Sequence, residues 1–320
     1  MEHCDMIRIG ILGFDPLLST CLQIIRELPG FEATVAYSEF SLDAAVMEQY
    51  GLRRMDSLGD LLANCDVVLC LSADKQQLRS IEKAIKYHKH IYVHKLCQYQ
   101  TDYMRHLSGL CEETGVASMI QMDWMHHPIT YGIIPHLNQP QRIELDFEGL
   151  LDLESDSLAA YHTLLNLTML LYSLNNSYNS RTTVQRITVA EKNSEALHMR
   201  FEYPHGCVAD LMLDGVIQTH KKELKIYQKN TYLIADYTSS ELTLHHITPR
   251  PKNKSKQNHT PVDVEKPKIH IQQLPSLIQF LLAVQNNELI PVGSIADTYT
   301  AMKTTDKLAE KIALSEMLMQ

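Results

Sequence analysis

No two cysteines in this chain stand in a C-x-x-C arrangement, and that absence excludes much. The seven cysteines (Cys4, Cys21, Cys65, Cys70, Cys97, Cys111 and Cys207) are scattered over 320 residues, several inside apolar runs. Such a distribution fits reduced core thiols rather than a disulfide framework or a zinc centre. Positive charge is also short. With 29 Lys and Arg against 38 Asp and Glu, the net charge is −9, which leaves no global field for nucleic acid. The one basic stretch, Arg250 to Lys256, is polar, short and interrupted by Pro251, and reads as an exposed loop. No apolar run is long enough for a bilayer: the longest, around Leu164–Leu174, is too short and too polar. The N terminus shows no signal pattern, and the Walker, nucleophile-elbow and zinc-finger patterns are missing. The expectation is a soluble, reduced, cytoplasmic protein with neither nucleic acid nor membrane as a partner. At 45% hydrophobic residues, it is long enough for two domains with cores of their own.

The first 120 residues alternate strand and helix patterns. Ile7–Leu12, Glu32–Tyr37, Val67–Leu71, His90–Val93 and Val116–Gln121 read as strands. Pro16–Leu28, Leu42–Tyr50, Asp60–Asn64, Gln76–Tyr87 and Asp102–Thr114 read as helices, the last closed by Gly115. Repeated βα units of this kind predict a doubly wound parallel sheet, with ligands at the carboxyl ends of its strands. After Pro128 the pattern changes. A long helix around Leu158–Leu174 precedes strand-like stretches at Thr183–Ala190, Ala196–Tyr203, Gly206–Leu213, Glu223–Gln228, Thr231–Asp236 and Glu241–His246, with turn signals such as Pro204-His205-Gly206 between them. These predict an α+β domain with an open, mainly antiparallel sheet. Helices near Leu274–Asn286 and Ser294–Met317 close the chain. The division falls at residue 121, giving a dinucleotide-binding-like domain over 1–121 and a substrate and dimerisation domain over 122–320, with the terminal helices free to pack back on the first. Cys207, Ala209, Leu211 and Leu213 alternate on a strand of the second sheet, and no helix is left over for its outer face. That predicts a homodimer, or a dimer of dimers, burying the face.

The first strand-to-helix junction reads Ile7-Arg8-Ile9-Gly10-Ile11-Leu12-Gly13-Phe14-Asp15-Pro16-Leu17-Leu18. An apolar run, a glycine turn and an amphipathic helical pattern form the opening of a Rossmann unit. Counted from Gly13, the G-x-G-x-x-G fingerprint has Asp15 at its second glycine and Leu18 at its third. The second glycine lets backbone approach a pyrophosphate and the third lets helix and strand pack closely, and neither is kept. Asp15 is suited to be an N-cap and Pro16 to the first helical position. The carboxylate would then occupy the N–H groups that otherwise hold phosphate. A phosphate about 4 Å away would meet repulsion of roughly 1 kcal/mol in water and about 4 kcal/mol at an intermediate dielectric.

Beyond this junction come Tyr50-Gly51-Leu52, Asp56-Ser57-Leu58, Cys65-Asp66-Val67-Val68-Leu69, Lys89-His90-Ile91-Tyr92-Val93, Glu113-Thr114-Gly115, Ser276-Leu277-Ile278-Gln279-Phe280 and Ala296-Asp297-Thr298. In their order and spacing they make the chain resemble the glucose–fructose oxidoreductase / inositol dehydrogenase / MocA (Gfo/Idh/MocA) family nearly end to end. The resemblance implies a Rossmann domain, a second domain whose open sheet pairs subunits, and NAD or NADP as cofactor. It sets the family's E-K-P motif on His94-Lys95-Leu96, which keeps the lysine and loses the acid and the proline. The family's catalytic histidine at the start of a long helix matches His162, with Leu158 where an aspartate is common. The acidic residue after the second strand aligns with Ser38, followed by Glu39. The aromatic-arginine motif becomes Asp123-Trp124-Met125-His126-His127-Pro128, without its arginine. The cofactor candidates are therefore Gly10, Gly13, Phe14, Asp15, Ser38, Glu39 and Ser72, and the catalytic candidates are Lys95 and His162.

Hydride transfer between a nicotinamide and an alcohol needs a proton acceptor at the hydroxyl and a cation that polarises the oxygen. Lys95 and His162 supply such a pair, with Tyr161 as a second proton donor. The alternative is that His162 is a helix residue bonded to backbone and Lys95 a solvated charge at a strand end. The pairs His126-His127 and His245-His246 lack the spacing of metal ligands, so no metal is expected. Two functions follow. One is an NAD(P)-dependent oxidoreductase acting on a sugar, polyol or related carbonyl. The other is a non-catalytic relative that binds a ligand or partner, favoured by Asp15, Leu18, Leu96 and Leu158.

Overall fold

The structure, a computed structural model, describes residues 6–39, 44–71, 76–97, 99–148, 157–190, 194–214, 221–247, 262–269, 274–290 and 292–317. The basic stretch 250–256 and the candidate Ser72 lie outside them. The chain divides into two compact units, Met1–His126 with Gln273–Met302 and His127–Gln272 with Lys303–Gln320.

The first unit holds strands β1 (Ile7–Leu12), β2 (Phe31–Tyr37), β3 (Arg53–Arg54), β4 (Val67–Cys70), β5 (His90–Val93) and β6 (Ser118–Ile120). Their order is β3-β2-β1-β4-β5-β6, and every pairing is parallel. Helices α1 (Leu18–Glu27), α2 (Ala44–Gln49), α3 (Leu58–Ala63), α4 (Gln77–Lys86) and α5 (Thr101–Thr114) connect them. All four residues of β4 are buried, as expected of a parallel strand covered on both faces. Ser57 starts α3 by accepting the Asp60 N–H at 3.1 Å. Gly115, at φ 66°, ends α5 in the left-handed region. The core joins Ile9, Ile11, Leu69, Tyr92 and Met119 to Leu22 and Ile25 of α1. Leu277, Phe280 and Leu281 of α8 (Pro275–Asn286) complete it, so a late stretch of sequence belongs to the first core.

Gly10 lies inside β1, and a Cβ there would stand 2.9 Å from Cys65 Sγ and 3.1 Å from Leu61 Cδ1. The sequence reading made it a cofactor residue. In the structure its lack of a side chain permits the close approach of β1 to Leu61 of α3 and to Cys65.

The second unit begins with α6 (Pro128–Ile133) and a 3-10 turn (Ile134–His136), followed by β7 (Arg142–Glu148) and α7 (Ser157–Asn175). The strands β8 (Arg181–Ala190), β9 (Ser194–Glu202), β10 (Val208–Asp214), β11 (Lys222–Tyr227), β12 (Thr231–Asp236), β13 (Glu241–Ile247) and β14 (Val262–Glu265) follow. They form an open eight-stranded sheet in the order β14-β13-β12-β11-β7-β10-β9-β8. Only the β7–β10 pairing is parallel among these described strands. The helix α9 (Ile295–Met317) closes the chain.

One sequence expectation is corrected here. Cys207, Ala209, Leu211 and Leu213 are each 1% exposed or less in the single chain. They share the inner face with Ile143, Leu145, Phe147, Leu224 and Ile226. The opposite face is charged. Arg142 reaches Glu144 at 2.8 Å and Asp210 at 3.1 Å, while Lys225 and Lys221 pair with Glu223 at 2.6 and 3.1 Å. Tyr227, Tyr232 and His245 stack across strands beside them.

Two outcomes follow from this packing. Gly10→Ala overpacks the β1–α3 contact and should cost about 1–3 kcal/mol in urea unfolding, part of it recovered by Cys65→Ala. The second concerns His126, whose Nδ1 accepts the Met122 N–H at 2.9 Å and whose ring abuts Gly293. Burial pushes its pKa down to about 3, below the ordinary 6.5 of an unfolded chain. The native state therefore binds fewer protons, and this stability, complete above pH 6.5, is lost as the pH falls from there toward 3. Between pH 8 and pH 5 the loss should be about 2 kcal/mol. His126→Gln should remove that component of the slope, read as the difference between the two proteins' unfolding free energies at each pH.

Candidate functional site

The strand order reverses beside β1, where doubly wound sheets bind ligands at their carboxyl ends. Gly13 leaves β1 at φ 87° and its N–H donates to Tyr37 O at 2.8 Å. A left-handed φ there suits glycine and little else. Phe14 is 46% exposed. The helix then starts at Leu18 rather than Pro16, because Pro16 and Leu17 are wound in a turn on Asp15: its carbonyl accepts the Leu18 N–H at 2.9 Å. The expected side-chain cap on the helix itself is not formed: Asp15 Oδ1 accepts the Leu17 N–H at 2.8 Å, within the turn that precedes Leu18. Leu18, standing where a third glycine would be, is buried in the core.

Ser38, directly after β2, is buried, and Glu39 beside it is exposed. After β5 come His94, Lys95, Leu96 and Cys97. Lys95 is exposed and Leu96 is buried. Gln77, fully buried at the start of α4, holds this segment: its amide donates to Lys95 O at 2.6 Å and its oxygen accepts the Cys97 N–H at 3.0 Å. Two amide bonds thus fix the backbone on either side of Leu96, where the resembling family has proline.

His94 was not among the sequence candidates. Its Nδ1–H donates to Gln121 Oε1 at 2.8 Å, and its Nε2 lies 4.0 Å from Asp15 Oδ1. Gln121 Oε1 also accepts from the buried Tyr92 hydroxyl at 2.6 Å, which in turn receives Ser276 Oγ–H at 2.7 Å. No local pattern in the sequence marks this set, because its members come from the end of β5, the end of β6 and α8.

In the second unit, His162 lies in the second turn of α7, and Asn166, 1% exposed, stands one turn further on. The Asn166 amide donates to His162 Nε2 at 2.9 Å and to His162 O at 3.0 Å. With Nε2 accepting, the proton of the neutral ring sits on Nδ1. The Tyr161 hydroxyl donates to Asp306 Oδ1 at 2.7 Å. The other paired histidines have separate duties. His127 Nδ1 caps α6 by accepting the Ile129 N–H, while burial and Lys222 lower its pKa. His246 pairs with Glu265 at 3.1 Å. Among the described residues no group of three or more His, Cys, Asp or Glu is placed to hold a metal, and no helix is long and apolar enough to cross a membrane.

For a dinucleotide these residues fit at two points and resist at one. The Gly13 turn has the required backbone, and Ser38 with Glu39 stands after β2, where a ribose would be held. The Asp15 carboxylate instead occupies an N–H that a phosphate would use.

No protein-family model matches the sequence, and no curated protein matches it. Solved structures do share its fold. UDP-N-acetylglucosamine 3-dehydrogenase GnnA from Acidithiobacillus ferrooxidans is similar over 96% of this chain and 97% of its own, at 16% identity and a TM-score of 0.76. A dehydrogenase from Chromobacterium violaceum is similar over 98% of both chains, at 12% identity and a TM-score of 0.79. Levoglucosan dehydrogenase, solved with NADH and L-sorbose, is similar over 97% of this chain and 98% of its own, at 10% identity and a TM-score of 0.73. At such identities the likeness establishes the fold: a parallel Rossmann-like sheet joined to a mixed, mostly antiparallel one, as in these dehydrogenases.

Proposed function

We propose that this chain is a Gfo/Idh/MocA-type oxidoreductase that uses NAD or NADP on a sugar, polyol or related carbonyl compound. The observation that carries the reading is the retained Gly13 turn at the reversal of strand order, in a fold shared end to end with dehydrogenases of sugars. The first unit takes the cofactor and the second the substrate. When bound, the nicotinamide supplies hydride acceptance or donation. Lys95, its backbone fixed by Gln77, places an ammonium against the reacting oxygen, and His162 exchanges the hydroxyl proton. For that exchange to occur at Nε2, the Asn166 amide must give up its bond there.

The carboxylate on the Leu17 N–H favours a second reading, a non-catalytic relative that binds a ligand or partner. Titration with NADH and NADPH separates the two. The oxidoreductase reading expects a change in the fluorescence of Trp124, the only tryptophan, and a rise in melting temperature. At about a hundred times the dissociation constant the stabilisation should be roughly 2.7 kcal/mol. Lys95→Ala and His162→Ala should each lower turnover by about 10² or more. Millimolar NADH and NADPH that change neither signal would leave the binding-protein reading standing.

In assembly, the charged face of the second sheet pairs with a second copy, giving a homodimer or a dimer of dimers. The row of ion pairs and stacked rings on that face supports this. Light scattering at micromolar protein should give at least a dimer at low salt, weakened by 1 M salt through screening. A monomer at low salt would refute it.

A further inference from the structure

The bonds around His94 fix which of its nitrogens can change state. Gln121 Oε1 is an acceptor and already receives the Tyr92 hydroxyl, so Nδ1 of His94 must carry a hydrogen. In the neutral ring Nε2 is then a bare lone pair, and it faces the Asp15 carboxylate at 4.0 Å. Two acceptors face one another with no hydrogen between them. A proton on Nε2 turns this opposition into an ion pair while leaving the Gln121 bond intact. The His94 side chain is 11% exposed and that of Asp15 27%, so solvent screens the pair only in part.

We infer that His94 is a protonation-dependent counter-charge for Asp15, and that the pair makes phosphate binding at the β1–α1 turn depend on pH. The inference rests on the cofactor reading above. With His94 neutral, the turn carries one negative charge where a pyrophosphate must approach the amino end of α1. With His94 protonated, that charge is balanced and the α1 N–H groups and dipole act on the phosphates unopposed. Among the described residues, few groups are recorded against the pair. Gln121 follows β6 and is itself held by Tyr92 of β5 and Ser276 of α8, and Cys21 of α1 feels the Asp15 charge. Gln121 and Ser276 do not ionise, and the Tyr92 hydroxyl keeps its proton as the donor to Gln121.

Calorimetric titration with NADH and NADPH at pH 6 and pH 8 tests this in three proteins. The wild type should bind about tenfold or more tightly at pH 6, the effect of cancelling one charge near 4 Å from a phosphate. Asp15→Asn removes the opposing charge and should bind more tightly than the wild type at pH 8. His94→Asn keeps an N–H for Gln121 but cannot be charged, and should bind weakly at both values. A wild type that binds equally at both pH values, or a His94→Asn protein that keeps the slope, overturns the inference and leaves the cofactor reading intact. Absence of binding by all three at both values overturns the cofactor reading itself. The pairing is then judged without nucleotide by nitrogen-15 NMR: the His94 ring should take up its proton at lower pH in Asp15→Asn than in the wild type, and unchanged curves overturn it.

Discussion

The bond from the Leu17 N–H to the Asp15 carboxylate governs what the mouth of the parallel sheet can hold. In a doubly wound domain the amino end of the first helix is the most favourable place for an anion, because unbonded N–H groups and the helix dipole converge there. This chain fills that place with a charge of its own. The filling is cheap for the fold, because Pro16 and Leu17 close a turn on the same residue. It is costly for a phosphate, which must displace the carboxylate or lie beside it. The rest of the mouth follows suit. Leu18 stands where the fingerprint has a glycine and is buried in the core, and His94 Nε2 lies 4.0 Å from the carboxylate.

The loop after β5 solves another problem with unlike means. A lysine proposed to meet a reacting oxygen must be held by something other than its own flexible stem. Here the fully buried Gln77 bonds the backbone at Lys95 and Cys97, and Leu96 between them is buried. A buried amide left half-bonded would cost about 1–3 kcal/mol, so the clamp and the fold of the loop enforce each other.

The parallel sheet was legible in the sequence because β4 is a continuous apolar run and β1 and β5 are apolar but for Arg8 and His90, and Gly115 marks the end of α5. The second sheet was legible in class but not in order. Its central strand β7 was missed, although Arg142-Ile143-Glu144-Leu145-Asp146-Phe147-Glu148 alternates without a fault. Period two gives the two faces of a strand but not which face lies inward. For that reason Cys207, Ala209, Leu211 and Leu213 were expected at an interface and are found in the core of the single chain. At the site, Gly13 and Asp15 could be read because a turn and a cap are local. The Gln77 clamp and the His94–Gln121–Tyr92–Ser276 chain could not, since each joins residues from separate elements.

A charged outer face on the second sheet changes what assembly would require. An apolar face drives association by the area it removes from water and is indifferent to salt. A face bearing Arg142, Arg200 and Asp210 in mutual contact gains little from burial alone, since desolvating paired charges offsets most of their attraction. It does gain register: like charges brought opposite one another oppose every alignment but the complementary one. The two sheets thus divide the physical work. The first uses apolar burial on both faces to hold a few polar groups in fixed positions at its mouth. The second buries one face for stability and keeps the other polar.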